Sequence, residues 1–299
     1  MTQRKSDLTG KVVVITGANA GIGREASWKL ARLGATVVMA ARNQSKGDAA
    51  LKYVRERGRS DRVELLKLDL GSLDSVDAFA DAVLERHDRL DVLVNNAGAV
   101  LSRFTVTTDG FEATFGVNHL GHVHLTDRLL DRLRASAPAR IVNTASVAHR
   151  LGTMRWSDLE HRVGYNGTVA YNQSKLANIL FTMEGAKRWA KDGITVNCLH
   201  PGAVRSGFGG ADDTTGAERF MVMLGTPFMI PARWGARPIV YLAASPEVEE
   251  CTGGYWVGGY VPGVWRHKPS KEASDPAAAA RLWDVSAAML AEKGRGGGA

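Results

Sequence analysis

Tyr171 and Lys175 form a pair of side chains whose types and spacing could transfer a proton. Four residues apart on a helix, they would lie on one face, one turn from each other. The fixed charge of the lysine favours the phenolate, so we expect it to lower the tyrosine pKa from its usual value of about 10. The alternative is a solvated surface pair without chemistry, and the rest of the chain has to decide between these interpretations.

The composition predicts an ordinary globular protein. The 299 residues are 44% hydrophobic and 23% charged, which allows one large core. The net charge is +7, but Lys and Arg are scattered without a basic run. We therefore expect binding of a cofactor or substrate phosphate rather than of nucleic acid.

The cysteines and the amino terminus favour a cytoplasmic location. Cys198 and Cys251 lie far apart without metal-ligand spacing, which is typical of a reducing compartment. Residues 1–11 lack the apolar stretch of a signal peptide, and no window is apolar enough to span a membrane. We expect a cytoplasmic protein with no transmembrane segment.

Short apolar runs, rich in β-branched residues, alternate with amphipathic stretches along the chain. The predicted strands are 11–16, 35–41, 63–68, 90–94, 140–144, 194–199 and 254–257. The predicted helices are 24–33, 44–57, 72–86, 110–134, 169–191, 231–244 and 276–292. This alternation predicts a single-domain α/β Rossmann fold, doubly wound, with a seven-stranded parallel sheet in order 3-2-1-4-5-6-7 and helices on both faces. We place the domain at 8–292 and a flexible tail at 293–299.

A glycine-rich turn lies between the first strand and the first helix. Its glycines let the backbone approach a pyrophosphate, and the helix N-terminus supplies free amides. A plain strand–helix turn is the alternative, but the context favours dinucleotide binding. The residues predicted to contact the cofactor here are Gly17, Asn19, Gly21, Ile22 and Gly23.

The end of the second strand indicates which dinucleotide is bound. Enzymes that use NAD commonly place a carboxylate there for the ribose 2′-hydroxyl, whereas this strand ends in Ala41 and Arg42. Arg42 would attract a 2′-phosphate, with Arg24 assisting, which favours NADP and leaves NAD possible. The alternative is an exposed arginine that caps a strand.

With these motifs in order, the chain resembles the short-chain dehydrogenase/reductase superfamily over about residues 10–260. The residues that carry the resemblance are the Thr16–Gly23 turn, Asp69, Asn95-Asn96-Ala97-Gly98, Asn118, Ser146 and Tyr171-x-x-x-Lys175. Longer strings are similar to the retinol dehydrogenase-like branch, namely 117–122, 147–149, 174–178, 200–202 and 281–286. The protochlorophyllide reductases are a neighbouring branch that shares one of these strings.

The resemblance implies a role for each matching residue. Tyr171 would give or take the substrate proton, and Lys175 would lower its pKa and hold the nicotinamide ribose. Ser146 would bind the substrate oxygen, and Asn118 would hold a water that links Lys175 to solvent. The resemblance also implies that Asp69 and Leu70 contact the adenine of the cofactor. The adjacent ribose region would be contacted by Asn95, Ala97 and Gly98. The nicotinamide would be covered by Pro201, Gly202 and Val204. Ser206 stands where the family often has threonine.

Other polar and apolar groups receive simpler interpretations. His119, His122 and His124 lie in one predicted helix without matching carboxylates or thiols, so we expect no metal site. Cys198 reads as a core residue. The segment 203–231, rich in Met and Phe, is predicted to form a substrate lid. Trp256, Tyr260 and Trp265 are candidates for closing the same pocket.

The predicted function is NADP(H)-dependent interconversion of an apolar aldehyde or ketone and its alcohol, with reduction favoured. One alternative is another enzyme of this fold, acting on a steroid, a polyketide-like ketone or a protochlorophyllide-like double bond. A second is a non-catalytic NADP-sensing protein, which would be expected to lack part of the Asn–Ser–Tyr–Lys set. By analogy with the superfamily, the helices around Asn118 and Tyr171 could form a homodimer or homotetramer.

Overall fold

Seven apolar runs form neighbouring parallel strands in the computed structural model, which describes residues 6–205, 229–258 and 263–295. Including three strands outside this parallel set, the described residues form β1 (Val12–Thr16), β2 (Thr36–Ala41), β3 (Val63–Lys67), β4 (Val92–Asn95), β5 (Ala139–Thr144), β6 (Ile194–His200), β7 (Val204–Arg205), β8 (Ile230–Pro231), β9 (Tyr255–Gly258) and β10 (Val264–His267). The main sheet contains β3-β2-β1-β4-β5-β6-β9 in that order, all parallel, which confirms the predicted topology.

Helices cover both faces of the sheet. They are α1 (Gly21–Arg32), α2 (Gln44–Gly58), α3 (Leu73–Arg86), α4 (Ala113–Phe115), α5 (Gly121–Ala135), α6 (Gly167–Arg188), α7 (Ala232–Gly235), α8 (Arg237–Ala244) and α9 (Pro276–Ala291). Alternate residues of β1 face opposite layers: Val13 packs with α1, α2 and α8, and Val14 packs with α3 and α5. Because both faces are covered, every residue of β1 is buried, as expected for a parallel sheet.

An eighth strand, β10, lies antiparallel to β9 at the edge of the sheet. No strand was predicted around Trp265. Arg266 pairs with Trp256 and His267 with Tyr255. An edge strand needs no continuous apolar run, since one of its sides faces solvent, and the sequence around Trp265 offers none.

The long helix predicted over 110–134 is interrupted. A π-helical turn at Gly116–Leu120 separates α4 from α5, with the Gly121 N–H bonded to the Gly116 carbonyl. The helix begins at Ala113 because the Glu112 carboxylate accepts the N–H groups of Thr114 and Phe115, both at 2.7 Å. Asn118 therefore lies in the π-helical turn, a geometry that recurs at functional sites.

The last helix, α9, covers α6 within the same chain. Trp283 stacks on Phe181 with ring centroids 5.3 Å apart and meets Trp189 edge-on at 5.2 Å. Ser286 on α9 hydrogen-bonds His119 Nε2 at 2.9 Å. Part of the helix surface expected by analogy to form a dimer is therefore covered by α9 of the same chain.

The predicted lid begins and ends in a small parallel ladder. Val204 pairs with Ile230, and the Ile230 N–H donates to the Ala203 carbonyl at 2.8 Å. The lid interior, 206–228, lies outside the described residues, as does Ser206. Of the predicted tail, residues 296–299 also lie outside them, whereas the Arg295 N–H bonds the Leu290 carbonyl at 3.0 Å. Among the helices described, none has the length and apolarity needed to cross a membrane.

Candidate active site

Ser146, Tyr171 and Lys175 meet at the carboxyl end of β5. Ser146 follows this strand, and its side chain hydrogen-bonds the Tyr171 side chain. Lys175 is 2% exposed and donates from Nζ to the Thr144 carbonyl at 3.1 Å. Its Nζ lies 5.5 Å from the centre of the Tyr171 ring. The spacing of tyrosine and lysine thus reflects a helix face that points into the protein, not a solvated surface.

The expected lowering of the Tyr171 pKa is wrong for the protein alone. Its hydroxyl is surrounded by protein, so burial raises the pKa of Tyr171 to about 12, with the Ser146 hydrogen bond opposing part of the rise. Burial also lowers the pKa of Lys175 to about 8. The ammonium points to the Thr144 carbonyl, and desolvation shifts both groups towards their neutral forms.

Asn118 is fully buried and fixed from two sides. Its Oδ1 accepts the Ala99 N–H at 2.7 Å, and its Nδ2 donates to the Ala99 carbonyl at 2.9 Å and to Ser174 Oγ at 3.0 Å. Ser174 Oγ donates in turn to the Tyr171 carbonyl at 2.8 Å. A continuous set of hydrogen bonds therefore connects Asn118 to the helix that carries Tyr171 and Lys175.

The turn between β1 and α1 is packed so closely that two of its positions have no room for a side chain. Gly17 has φ +65°, and a Cβ there would lie 3.0 Å from Ala97 Cα. A Cβ on Gly23 would lie 2.4 Å from the Gly17 carbonyl oxygen. Within the described part of the chain, no side chain caps α1, and its first turn contains no acid. The amides at Gly21 and Ile22 are therefore available to an anion such as a pyrophosphate.

Thr16 joins this turn to the segment after β4. Its Oγ1 accepts the N–H groups of Asn96 at 2.8 Å and Ala97 at 2.9 Å, and Asn96 Nδ2 donates to the Thr16 carbonyl at 2.8 Å. These bonds hold Ala97 and Gly98 beside the glycine turn. No role was predicted for Thr16 or Asn96, although polar residues that end two adjacent strands were a usable signal.

Arg42 lies exposed at the carboxyl end of β2, where it could contact the 2′ substituent of a dinucleotide's ribose. Arg24 places its guanidinium carbon 4.2 Å above the Tyr53 ring of α2, the helix that begins just after Arg42. Tyr53 is itself held by Glu25 Oε1 at 2.9 Å. Arg24 therefore packs against α2, and no carboxylate occurs between the end of β2 and the start of α2.

The predicted adenine and ribose contacts differ in how accessible they are. Asp69 is half-buried and uses Oδ1 to accept the Gly71 N–H at 2.9 Å. Leu70 packs in the core. The Asn95 side chain is buried between β4, β5 and α5, where Nδ2 donates to Thr126 Oγ1 at 3.0 Å and to Asn143 Oδ1 at 2.9 Å. Contacts from Leu70 and Asn95 to a cofactor would come from their backbone.

Val204 and Pro201, which are predicted to lie over the nicotinamide, approach Ile22 of the glycine turn next to Gly235. A Cβ on Gly235 of α7 would lie 2.5 Å from Val204 Cγ2, 2.9 Å from Ile22 Cγ2 and 3.3 Å from the Pro201 carbonyl. Next to Pro201, Gly202 adopts φ +88°, which turns the chain away from β6. The two segments expected on either side of a dinucleotide are therefore neighbours.

The aromatic residues proposed to close the pocket do not share one location. Trp256 is a core residue, and its Nε1 donates to Asn197 Oδ1 at 3.2 Å, so its predicted role is wrong. Trp265 is 44% exposed on β10, and Tyr260 lies outside the described residues. Apolar side chains that the sequence analysis did not identify, Val147 and Leu151, are exposed just after Ser146, with Leu151 at 79%.

The three histidines each have a hydrogen-bonding partner in the protein interior. His119 contacts Ser286, His122 contacts Thr16 Oγ1 at 2.9 Å, and His124 contacts Asp77 Oδ1 at 2.8 Å. Across residues 6–205, 229–258 and 263–295, no three His, Cys, Asp or Glu side chains group as metal ligands. Cys198 is a core residue, as predicted, and burial raises the pKa of its thiol to about 12.

Comparison with known proteins gives one family repeatedly. A family model described as short chain dehydrogenase matches residues 11–215. Retinol dehydrogenase 13 from Homo sapiens is 41% identical over 290 residues, covering 96% of this chain and 86% of that protein. Retinol dehydrogenase 12 from Mus musculus is 41% identical over 286 residues, covering 95% and 87%.

Solved structures share the fold. A crystal structure of an uncharacterized protein from Mycobacterium paratuberculosis has a TM-score of 0.77 and 34% identity, and covers 97% of this chain and 96% of its own. A crystal structure of a proposed NAD(P)-dependent gluconate 5-dehydrogenase from Beutenbergia cavernae, with NADP bound at low occupancy, has a TM-score of 0.67 and 26% identity. That match covers 84% of this chain and 96% of the other.

Proposed function

This chain belongs to the short-chain dehydrogenase family, as predicted, and from that premise we propose that it is an NADP(H)-dependent oxidoreductase. It interconverts an apolar aldehyde or ketone and the corresponding alcohol, with reduction favoured. The observation that carries the proposal is the meeting of Ser146, Tyr171 and Lys175 at the carboxyl end of β5, connected through Ser174 to Asn118.

The glycine turn fits a dinucleotide. The tight packing of the turn that Gly23 permits and the open amides of α1 suit a pyrophosphate, and Lys175 suits a ribose hydroxyl. When bound, the nicotinamide supplies or accepts the hydride. Tyr171 and Ser146 provide what a carbonyl oxygen needs, which is a proton donor and a second hydrogen bond.

The protonation states of the protein alone suit reduction. With a pKa of about 12, Tyr171 holds its proton at neutral pH and can donate it to a carbonyl oxygen that gains negative charge. Below its pKa of about 8, Lys175 is an ammonium and stabilises the phenolate that remains. In the reverse direction the same phenolate takes the proton of an alcohol.

Arg42 supports the choice of NADP. It is exposed at the carboxyl end of β2, and Arg24, near the start of α1, packs against Tyr53 of α2. A guanidinium binds a 2′-phosphate bidentately, whereas NAD offers only a hydroxyl there. Since cells keep most of their NADP reduced, this choice also favours reduction.

The surroundings of the site support an apolar substrate. Val147 and Leu151 follow Ser146, Val169 precedes Tyr171, and all three are exposed. Exposed apolar side chains beside reacting groups offer a surface for a hydrocarbon chain. The relatives named retinol dehydrogenases point to the same substrate class. The lid predicted at 203–231 would add to this surface.

Both cysteines are free thiols, which supports a cytoplasmic location.

A substrate panel with both cofactors tests the proposal. Aldehydes of increasing chain length, a steroid ketone and a pigment double bond are offered with NADPH or NADH, and loss of reduced cofactor is followed. We expect turnover that rises with aldehyde chain length and prefers NADPH. Arg42→Asp should reverse the cofactor preference, with Arg59→Asp, on another exposed arginine, as the control. Cofactor binding without turnover of any compound would instead identify a sensor.

A further inference from the structure

His122 lies between the dinucleotide turn and Asn118. It is buried on α5 and forms two side-chain hydrogen bonds in opposite directions. Its Nδ1 is 3.2 Å from the Asn118 carbonyl, and its Nε2 is 2.9 Å from Thr16 Oγ1. The imidazole therefore connects the end of β1 to the π-helical turn that carries Asn118.

The hydrogen-bonding chemistry fixes every proton in this connection. A carbonyl oxygen only accepts, so Nδ1 of His122 must carry the imidazole proton. Nε2 is then an acceptor, and the Thr16 hydroxyl donates to it at 2.9 Å in preference to the Val94 carbonyl, which lies farther away at 3.4 Å. Both lone pairs of that hydroxyl are already used, since it accepts the N–H groups of Asn96 and Ala97. Burial lowers the pKa of His122 to about 3, so the imidazole stays neutral throughout the working range.

We propose that His122 is a positioning residue that couples the dinucleotide turn to Asn118 and, through Ser174, to the helix carrying Tyr171. The effect of this coupling on turnover depends on the proposed function, whereas the coupling itself does not. Its path runs from the Ala97 amide through Thr16 and His122 to Asn118, with each step a hydrogen bond of 3.2 Å or less. A cofactor that orders Ala97 and the glycine turn would thereby order Asn118 as well.

The neighbouring histidines show that this connection is specific to His122. His119 bonds Ser286 on α9, and His124 bonds Asp77 on α3. All three are equally buried on the same stretch of chain. Replacing His124 with phenylalanine therefore removes the hydrogen bond of an equally buried histidine, here to the partly exposed Asp77 carboxylate, without touching Thr16 or Asn118, which makes it a control for loss of a buried imidazole.

Substitutions separate the two halves of the connection. His122→Phe fills the space but removes both hydrogen bonds, and should lower kcat about tenfold while weakening NADPH binding a few-fold. His122→Asn can donate to the Asn118 carbonyl, and His122→Gln can accept from Thr16, so each should recover part of the loss. His124→Phe should lower the melting temperature without changing kcat more than about twofold.

A double-mutant cycle with Thr16→Val tests the coupling itself. If Thr16 acts through His122, the double variant should lose no more kcat than the worse single variant. Losses that multiply, or a His122→Phe enzyme with unchanged kcat and NADPH affinity, would overturn the proposal. A kcat loss in His124→Phe as large as that in His122→Phe would reduce His122 to a stability role.

A measurement without turnover keeps this inference separate from the proposed function. Nitrogen NMR of histidine-labelled protein should show neutral imidazoles with the proton on Nδ1 for both His122 and His149, since His149 Nδ1 faces the Ser146 carbonyl and its Nε2 accepts the Ser270 N–H. The signal that is missing from His122→Phe belongs to His122, and in the wild type that signal should move when NADPH is added. The opposite tautomer, or a signal unmoved by bound NADPH, would contradict the coupling. If the signal moves but no carbonyl compound is reduced, the proposed function fails and the coupling stands.

Discussion

Lys175 is expected to titrate within the range of an ordinary activity assay. Burial lowers its pKa from 10.5 to about 8, whereas the pKa of Tyr171 is about 12. The ammonium is the form that can hold a ribose hydroxyl and stabilise the phenolate left by proton transfer. We therefore predict that kcat/KM for NADPH is constant below the Lys175 pKa and falls above it with the slope of one proton.

The size of this decrease follows from the shift. A pKa reduced from 10.5 to about 8 corresponds to about 3 kcal/mol of lost ammonium solvation. At about pH 9, roughly one molecule in ten would keep the charged lysine, so kcat/KM should be about tenfold lower than at about pH 7. A lysine with the ordinary pKa of 10.5 would lose only about 3% of its charge at that pH.

Initial rates at low NADPH and saturating aldehyde, measured from about pH 6 to about pH 10, report the pKa values of the free enzyme. Lys175→Arg is the control, because a guanidinium stays charged across this range. That variant should be slower but should lack the alkaline decrease. A wild-type profile that is flat up to about pH 9.5, or the same decrease in the arginine variant, would refute the assigned role of Lys175.

Two further substitutions test the parts of the fold that position the site. Gly23→Ala should abolish NADPH binding in a fluorescence titration, since its Cβ would lie 2.4 Å from the Gly17 carbonyl and 2.7 Å from Asn96 Nδ2; normal affinity would place the dinucleotide elsewhere. Asp91→Ala should reduce the free energy of unfolding in urea by about 2–3 kcal/mol at neutral pH, because its buried carboxylate accepts the Val12 N–H. Burial alone would raise the pKa of Asp91, but its hydrogen bonds lower it below the usual value, so the stabilisation is present above about pH 4 and is lost as pH falls through the lowered pKa. A difference between wild type and variant that persists at acid pH would contradict this assignment.

The strand order could be predicted because the central parallel strands are buried on both faces and read as continuous apolar runs, whereas the edge strand β3 is only partly buried. Val12 to Ile15 is an example, and the helices between such runs force right-handed crossovers. The edge strand β10 escaped prediction because it is short and largely exposed, with Trp265 among its outward residues. The π-helical turn escaped because the residues around Asn118 are as compatible with a continuous α-helix.

Residue spacing identified the site but not its electrostatics. Tyr171 and Lys175 are placed as their spacing predicts, yet the desolvation of both groups depends on neighbours distant in sequence. Lys175, for example, is buried against the end of β5, which lies in a separate part of the chain. The same limitation affected Trp256, whose aromatic character suggested a pocket but whose indole is held by Asn197 in the core.

The reducing activity assigned to Tyr171 is tested most directly by Tyr171→Phe. The variant keeps the ring beside Lys175 but cannot donate a proton, so NADPH binding should remain near normal while NADPH oxidation with the preferred aldehyde is nearly abolished. The decisive measurement is the single-turnover rate of NADPH oxidation in this variant at saturating cofactor and aldehyde. A loss of about a thousandfold or more is the predicted result, and a rate equal to that of the wild type would show that another group supplies the proton.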